Sequence, residues 1–241
     1  MTRLAVGMTI GLRRVKGKTF NYAQQAITSF RTVGFTEPLH VFVEPGAEVH
    51  LPKSRYGLVV HSNKRKLGCF RNFKRAATHL TGCTDAEWLL LLQDDAIWRA
   101  DGATLLYTAL ESFDAQSVGF ISPYTSKAMI GKKHLAAFAK RRADSPVRWV
   151  PCKFYNNAFW GAVALCFPRA SMLKMQAHKR YTQHKHHRKL DVVVGNVMRD
   201  LRLPMFVALP SVVDHIGRWS TLGRHRLKSN QWGRHGFAFK P

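Results

Sequence analysis

The stretch Trp88-Leu-Leu-Leu-Leu-Gln-Asp-Asp-Ala-Ile-Trp98 joins a run of apolar residues to Asp94-Asp95, the only adjacent acidic pair among the 14 acids of the chain. The apolar run predicts a strand that is buried on both faces, and open α/β sheets bind ligands beyond the carboxyl ends of their strands. Two neighbouring carboxylates repel each other, so we expect compensating positive charge beside them. A bound divalent cation meets that need, and a solvated turn that carries two acids is the alternative.

Strand and helix patterns alternate on the amino-terminal side of this stretch. Residues 4–10 read as a buried strand, residues 39–44 as a second strand and residues 59–60 as the end of a short third strand, and residues 22–33 and 67–80 have helical spacing. This order predicts an α/β fold, a single Rossmann-like domain with a mostly parallel central sheet flanked by helices. Further helices are predicted at 104–113, 168–175 and 190–201, a partial helix within 127–144, and further strands at 118–123, 159–167 and 206–209.

Composition restricts the partners of the chain. The 38 Lys and Arg residues exceed the 14 Asp and Glu residues, which gives a formal charge of +24 over 241 residues. Such a field attracts polyanions, nucleic acid first, then anionic membranes and acidic glycans. Disorder does not explain the charge, because 46% of the residues are hydrophobic and six Trp and 15 Phe can build a core.

Cysteine usage and the first residues predict the compartment. Cys69, Cys83, Cys152 and Cys166 form no CxxC pair, and the chain begins without the apolar stretch of a secretory signal. We therefore expect reduced thiols in a cytoplasmic protein. No window approaches the roughly 18 consecutive apolar residues that span a bilayer. A membrane role would have to be peripheral.

Two motifs resemble a known enzyme family. Gln93-Asp94-Asp95 resembles the D-x-D or E-D-D motif of nucleotide-sugar glycosyltransferases of the GT-A fold, and residues 210–217 (PSVVDHIG), with Ser220, resemble their late metal-histidine segment. The resemblance implies that Asp95 and His215 hold Mn²⁺ or Mg²⁺ on the donor diphosphate and that Asp94 faces the donor ribose or sugar. Gln93 departs from the pattern, because a further acid is frequent there. For His215, a core histidine is the alternative.

The resemblance also suggests donor-binding residues. Gly68 and Asn72 lie where such enzymes often carry a Gly and an Asn near the nucleotide, and further candidates end or follow early strands. These further candidates are Thr9, Gly11, Arg13 and Glu44. We expect one domain with a nucleotide-sugar-binding half over 1–123, an acceptor-binding half over 124–223 and a basic tail over 224–241, with a UDP-linked donor.

Transfer of a sugar to an alcohol needs a base that accepts the alcohol's proton. Asp191 is the candidate, since it opens a helical segment and resembles the acid that begins the acceptor-side helix in inverting members of the family. The alternative is that Asp191 only caps the helix. An inverting reaction is expected if Asp191 is the base.

Residues 178–189 hold five Lys or Arg, four His and no acid. Because these cations would repel a metal ion, we favour contact with a polyanion over a zinc site. The charge suits a DNA duplex, which carries about one charge per 1.7 Å. The predicted nucleic-acid contacts are Lys179, Arg180, Lys185, Arg188, Lys189, Arg224 and Arg226.

The leading hypothesis is a glycosyltransferase similar to those of phages that modify DNA, in the host cytoplasm if the chain is phage-encoded. Ordinary DNA bases offer no primary hydroxyl, so the hydroxymethyl group of a modified pyrimidine such as 5-hydroxymethylcytosine is the expected acceptor. Aromatic residues could stack on an extruded base, or belong to the core. These residues are Tyr155, Phe159, Trp160, Trp219 and Trp232.

Two alternatives stay open. One is a glycosyltransferase that builds lipopolysaccharide or another envelope glycan at an anionic membrane surface, with residues 132–142 as an amphipathic basic helix. The other is a non-enzymatic nucleic-acid-binding protein on a transferase fold. The sequence leaves the oligomeric state open.

Overall fold

A computed structural model describes residues 2–11, 13–15, 18–20, 22–47, 56–126, 129–139, 146–152, 159, 161–184 and 189–217. Only the backbone is described for residues 13–15, 18–20, 135 and 137–139. The strands are β1 (Leu4–Ile10), β2 (Arg13–Val15), β3 (Lys18–Phe20), β4 (Leu39–Val43), β5 (Leu58–Ser62), β6 (Trp88–Gln93), β7 (Ala96–Trp98), β8 (Phe120–Ser122), β9 (Arg148–Pro151), β10 (Ala164–Pro168), β11 (Met205–Leu209) and β12 (Val213–His215). The helices are α1 (Ala23–Thr32), α2 (Gly68–Cys83), α3 (Gly102–Ser112), α4 (Lys132–Ala139), α5 (Arg169–Ala177), α6 (Lys179–Thr182) and α7 (Leu190–Asp200).

Eight strands form the main sheet in the order β5-β4-β1-β6-β10-β8-β11-β9. Strands β10 and β9 run antiparallel to their neighbours, and the other pairs are parallel. Strand β6 lies inside the sheet, between β1 and β10, which explains why its leucines are buried on both faces. The predicted α/β fold with a mostly parallel sheet is confirmed.

The stretch 88–98 forms two strands. Strand β6 ends at Gln93, Asp94 and Asp95 form a turn, and β7 follows. Strand β7 leaves the main sheet and pairs antiparallel with β12, so that His215 lies opposite Ala96. Strands β2 and β3, which follow β1 in the chain, pair antiparallel as a hairpin. Strands β9 and β12 were not predicted, because three or four residues give too little periodicity.

Several polar residues lie at one edge of the sheet, because the parallel strands end there. Gly11, Glu44 and Asp94 each follow the carboxyl end of a parallel strand. Tyr124 and Ser211 come two residues after the ends of β8 and β11. The antiparallel β10 begins at this same edge, since Gln93 donates its N–H to the carbonyl of residue 163 at 2.9 Å. Residues from both halves of the chain therefore meet here.

Two further sequence expectations concern the thiols and the membrane. The four cysteines are free, as expected. Burial raises the pKa of the Cys152 thiol to about 12 and that of Cys166 well above its usual value. Among the helices of the described ranges, none has the length and apolar content needed to cross a bilayer.

Candidate active site

Asp95 and His215 form a contact between two distant segments. The β7–β12 ribbon brings the two side chains together, and the Nε2 atom of His215 lies 2.8 Å from Oδ2 of Asp95. A backbone hydrogen bond of 3.0 Å from the N–H of Ile216 to the carbonyl of Asp95 fixes the same register. Asp95 is buried, with 2% of its surface exposed. The two residues predicted to hold the metal are therefore neighbours.

The Asp95–His215 pair fits a divalent cation. A carboxylate oxygen and an imidazole nitrogen are both accepted by Mn²⁺. Two ligands bound at right angles, each roughly 2.1 Å from a cation, would lie roughly 3 Å apart, close to the observed separation. Gly217 leaves the space beside the Asp95–His215 pair open. A Cβ atom on residue 217 would overlap the Asp95 carboxylate and lie 3.0 Å from Nε2 of His215. Sequence reasoning gave Gly217 no role of its own.

Asp94 is held by the end of β1. Its Oδ2 atom accepts a hydrogen bond of 3.1 Å from the N–H of Gly11, and its side chain is buried. Thr9 donates from Oγ1 to the carbonyl of Leu92 at 3.3 Å. Thr9 and Gly11, both predicted to bind the donor, therefore line the junction of β1 and β6 beside the acidic turn. Arg13 lies on the neighbouring hairpin, and its side chain is outside the described residues.

Asp191 lies in the first turn of α7 and reaches this edge of the sheet. Its Oδ2 atom accepts a hydrogen bond of 3.1 Å from the N–H of Gly161. Burial raises the pKa of Asp191, and the N–H groups of Gly161 and Ala162 and the nearby His215 offset part of that rise. Lys189, with φ of 67°, occupies the N-cap position, and Asp191 follows in the first turn, where its carboxylate also accepts from its own N–H. A carboxylate with a raised pKa suits a general base.

Tyr124 is a site residue that the sequence did not reveal. Its ring centroid lies 6.3 Å from that of His215, at an angle of 77°. Burial raises the pKa of the Tyr124 phenol, and the charges of Asp214, Asp95 and Asp191 raise it further. The phenol is therefore protonated at neutral pH and lies close to three acids from three parts of the chain. The one feature of the sequence that could have indicated Tyr124 is its position directly after a predicted strand and a proline, where ligand-binding residues often lie.

Gly161 shapes the space between Tyr124 and Asp191. Its φ of +130° belongs to a region that glycine alone adopts readily. A Cβ atom at this position would lie 2.8 Å from Cε1 of Tyr124 and 3.1 Å from the sulfur of Met129. Glycine therefore allows the backbone to approach Tyr124 while its N–H binds Asp191.

Glu44 caps the amino-terminal end of helix α2. Its two carboxylate oxygens accept hydrogen bonds of 3.1 and 2.8 Å from the N–H of Leu67, and Oε1 accepts one of 3.1 Å from Gly68. These bonds satisfy backbone donors at the helix amino terminus. Burial raises the pKa of Glu44, while the two backbone donors and Lys66 lower it. Contact of Glu44 or Gly68 with the nucleotide stays a prediction.

Asn72 joins α2 to the sheet. Its Nδ2 donates to the carbonyl of Phe42 at 2.9 Å, and its Oδ1 accepts from Asn63 at 3.0 Å. The side chain is buried. These bonds account for a polar residue inside the helix–sheet interface, and a nucleotide contact by Asn72 stays a prediction.

The basic segment, residues 178–189, directly precedes helix α7 and Asp191 in the chain. Lys179 and Lys189 are exposed, and Lys189 precedes Asp191 by two residues. Arg180 donates from Nε to Oδ2 of Asp200 at 2.9 Å, so part of its charge is neutralised locally. Lys185, Arg188, Arg224 and Arg226 are outside the described residues. An open groove of about 780 Å³ is lined by Ala177, His178, Lys179, Arg180, Gln183, His184 and Asp200.

Phe159 belongs to the core and does not stack on a base. It is fully buried, and its ring lies 5.1 Å from that of Phe120. The predicted stacking of Phe159 on a base is therefore wrong, because burial leaves no face of the ring for a ligand. The other aromatic candidates, Tyr155, Trp160, Trp219 and Trp232, are outside the described residues.

No protein-family model and no curated protein matches the sequence. The structure is similar to a crystal structure of GalNAc-T7 with UDP, GalNAc and Mn²⁺, with a TM-score of 0.60 and 9% sequence identity. The match covers 91% of this chain and 45% of that chain, so the chain spans less than half the length of this neighbour. The chain therefore has a GT-A-like fold. This likeness bears on the fold and not on the acceptor.

Proposed function

We propose that the chain is a metal-dependent glycosyltransferase that uses a nucleotide sugar, with Asp95 and His215 as metal ligands. The observation that carries this proposal is the 2.8 Å contact between a buried carboxylate and an imidazole at the carboxyl edge of the sheet. The GT-A-like fold supports the same conclusion, since its solved neighbour was crystallised with UDP and Mn²⁺. A bound Mn²⁺ or Mg²⁺ would supply positive charge to the diphosphate of the donor, which becomes the leaving group.

Asp191 is the proposed base. As the acceptor alcohol bonds to the anomeric carbon, the bond from that carbon to the diphosphate breaks, and the alcohol's proton passes to the Asp191 carboxylate. Burial raises the pKa of this carboxyl group, which strengthens it as a proton acceptor. The N–H of Gly161 orients it from the side of β10. A base of this kind fits direct displacement and therefore inversion.

We propose that the acceptor is a hydroxymethylated pyrimidine, such as 5-hydroxymethylcytosine, in double-stranded DNA. A donor diphosphate and one cation do not account for a charge of +24. Some arginines have structural tasks, since Arg31 and Arg169 donate to backbone carbonyls. Lys179 and Lys189, in contrast, are exposed and close in sequence to Asp191. This distribution supports phosphate contacts beside the proposed base.

An envelope-glycan glycosyltransferase at an anionic membrane is the second candidate. Helix α4 supports it, because Lys132 and Lys133 are exposed at its amino-terminal end. The part of this helix that the structure describes is Lys132–Ala139. A non-enzymatic binding protein is the least favoured, since it would not need buried acids beside a histidine.

The experiment that tests the function is incubation of the purified protein with duplex DNA that contains 5-hydroxymethylcytosine, Mn²⁺ and a panel of nucleotide sugars. Nucleoside mass spectrometry should find a mass gain of one sugar, and unmodified DNA should gain none. Sugar transfer to envelope glycan acceptors but not to DNA would favour the second candidate. Neither transfer nor donor hydrolysis with any of the sugars would contradict the enzymatic proposal.

A further inference from the structure

Three histidines from distant parts of the chain meet on one face of the sheet, away from the candidate active site. His40 lies on β4, His61 on the adjacent strand β5 and His79 on α2. Their closest ring nitrogens all lie within 4.8 Å of one another, and all three side chains are partly exposed. Strands β4 and β5 are on the opposite side of β1 from β6, so this cluster is separate from the acidic turn.

The arrangement suits a transition-metal ion. Nδ1 of His40 lies 3.1 Å from Nε2 of His61. Two imidazoles bound tetrahedrally at roughly 2.05 Å from Zn²⁺ would have their nitrogens roughly 3.3 Å apart. This pair therefore already has almost the spacing that zinc requires, and the closest ring nitrogen of His79 lies within 4.8 Å of both.

Packing orients the three rings. The ring of His61 stacks on Phe42 with centroids 4.5 Å apart and an angle of 11°. The ring of His79 lies 4.2 Å from that of His61 and 5.1 Å from that of His40. Cys83 follows His79 by one helical turn, and its Sγ atom lies 3.6 Å from Nδ1 of His79. A sulfur atom, which is a soft metal ligand, is therefore close to the cluster. Rings held in this way need little reorganisation to bind a metal.

The surroundings of His40 and His61 favour the neutral form of these two imidazoles. Burial and the neighbouring His79, His40 and Arg75 lower the pKa of His61 to about 4, and burial with His79 lowers that of His40. Neutral imidazole is the form that binds metals. The nearby cation, Arg75, donates to the carbonyl of Ser62 at 3.2 Å and to Asn63, which holds its charge against protein oxygens.

We propose that His40, His61 and His79 form a Zn²⁺ site that is independent of the glycosyltransferase centre, with the fourth position open to water or a small ligand. Three imidazoles with an open position are a ligand set that zinc accepts, whereas Mg²⁺ prefers oxygen ligands. The site joins β4, β5 and α2, so zinc would stabilise the edge of the sheet by binding the folded chain.

The test is calorimetric titration of metal-stripped protein with Zn²⁺, using His61→Gln and His79→Gln as the cluster variants. Each variant should lose one bound equivalent of zinc that the wild-type protein has. Asp95→Asn and the double variant His186→Gln/His187→Gln should keep that equivalent, because they alter the other places where zinc could bind. Mg²⁺ should not compete for it.

A crystal grown with zinc gives the second measurement. Anomalous scattering at the zinc edge should locate the ion between the three rings. The proposal is wrong if both cluster variants, shown to be folded by thermal unfolding, bind as many zinc equivalents as the wild-type protein. An anomalous map with zinc elsewhere and none at the cluster would equally overturn it.

Discussion

Nε2 of His215 lies 2.8 Å from Oδ2 of Asp95, and the two residues are 120 positions apart in the chain. The β7–β12 ribbon creates this contact, because it pairs the residue after Asp95 with His215 itself. The ribbon thus brings a proposed metal ligand from the last described segment to the end of the central strand. The proposed metal binding and the shape of the candidate site both depend on this pair.

Replacement of Asp95 should remove the metal function while the protein stays folded. Asp95→Asn keeps the size of the side chain but removes its charge and one acceptor oxygen, so we expect sugar transfer to fall by about 10²–10³. The measurement is the rate of transfer or donor hydrolysis at saturating Mn²⁺, and chelator should inhibit the wild-type protein. Asp114→Asn, at an exposed position, is the control. A wild-type rate that chelator leaves unchanged would rule out the metal assignment.

Replacement of Gly217 should close the space in front of the Asp95–His215 pair. The added Cβ of Gly217→Ala would overlap the carboxylate, so we expect Mn²⁺ affinity to fall by about 10–100-fold. Gly82→Ala is the matched control, because nothing lies within 4 Å of its added Cβ and alanine favours the helix. Metal dependence of the rate measures the effect. Equal Mn²⁺ dependence in Gly217→Ala and Gly82→Ala would show that this space does not hold the metal.

Asp191 should control the acid side of the pH profile. Asp191→Asn can still accept a hydrogen bond from Gly161 but cannot take a proton, so turnover should fall by roughly 10²–10⁴ while donor binding is retained. Because the pKa of Asp191 is raised, the wild-type rate should fall on acidification at a higher pH than for an ordinary aspartate. The variant should lack this acid limb. A variant within about threefold of wild-type turnover would remove Asp191 from the mechanism.

Glu44 should matter for stability whether or not it contacts a nucleotide. Glu44→Gln replaces one acceptor oxygen by a donor facing the N–H groups of Leu67 and Gly68, so the free energy of unfolding should fall by about 1–3 kcal/mol. Urea denaturation measures this, and Glu111→Gln at an exposed position is the control. Unchanged stability of Glu44→Gln would show that the cap contributes little.

The basic segment should bind DNA phosphates without sequence preference. Replacement of Lys185, Arg188 and Lys189 by Ala should reduce the slope of log affinity against log salt by about 0.9 for each phosphate that the protein no longer neutralises. Donor hydrolysis without DNA should hardly change. Substitution of Lys132 and Lys133 by Ala is the control, since both are exposed on another helix.

Salt titrations of duplex binding measure that prediction, with anionic lipid vesicles run in parallel. Equal slopes for the wild-type protein and the triple variant, together with vesicle binding that the triple variant loses, would contradict the DNA proposal. That result would favour the envelope-glycan candidate instead.

The local pattern of the sequence was enough for the fold class and for much of the candidate site. Buried strands such as β1 and β6 have runs of apolar residues, and the polar residues that follow them mark the ligand-binding edge. The GT-A resemblance then associated Asp95 with His215. The turn at Asp94 and the short strand β12 could not be predicted. Each depends on pairing between remote segments, and a strand of three residues is too short to show an alternating pattern of apolar residues.

Sequence alone therefore determined the α/β class, the acidic turn and the excess of positive charge, since burial and charge are encoded locally. Only the tertiary structure decided which side chains meet. Tyr124 approaches the acids because β8 ends at the same edge as β6, and Glu44 caps α2 because that helix begins beside the end of β4. His40, His61 and His79 have no motif spacing at all. Strand order and helix packing create their contact, and these depend on interactions between parts of the chain far apart in sequence.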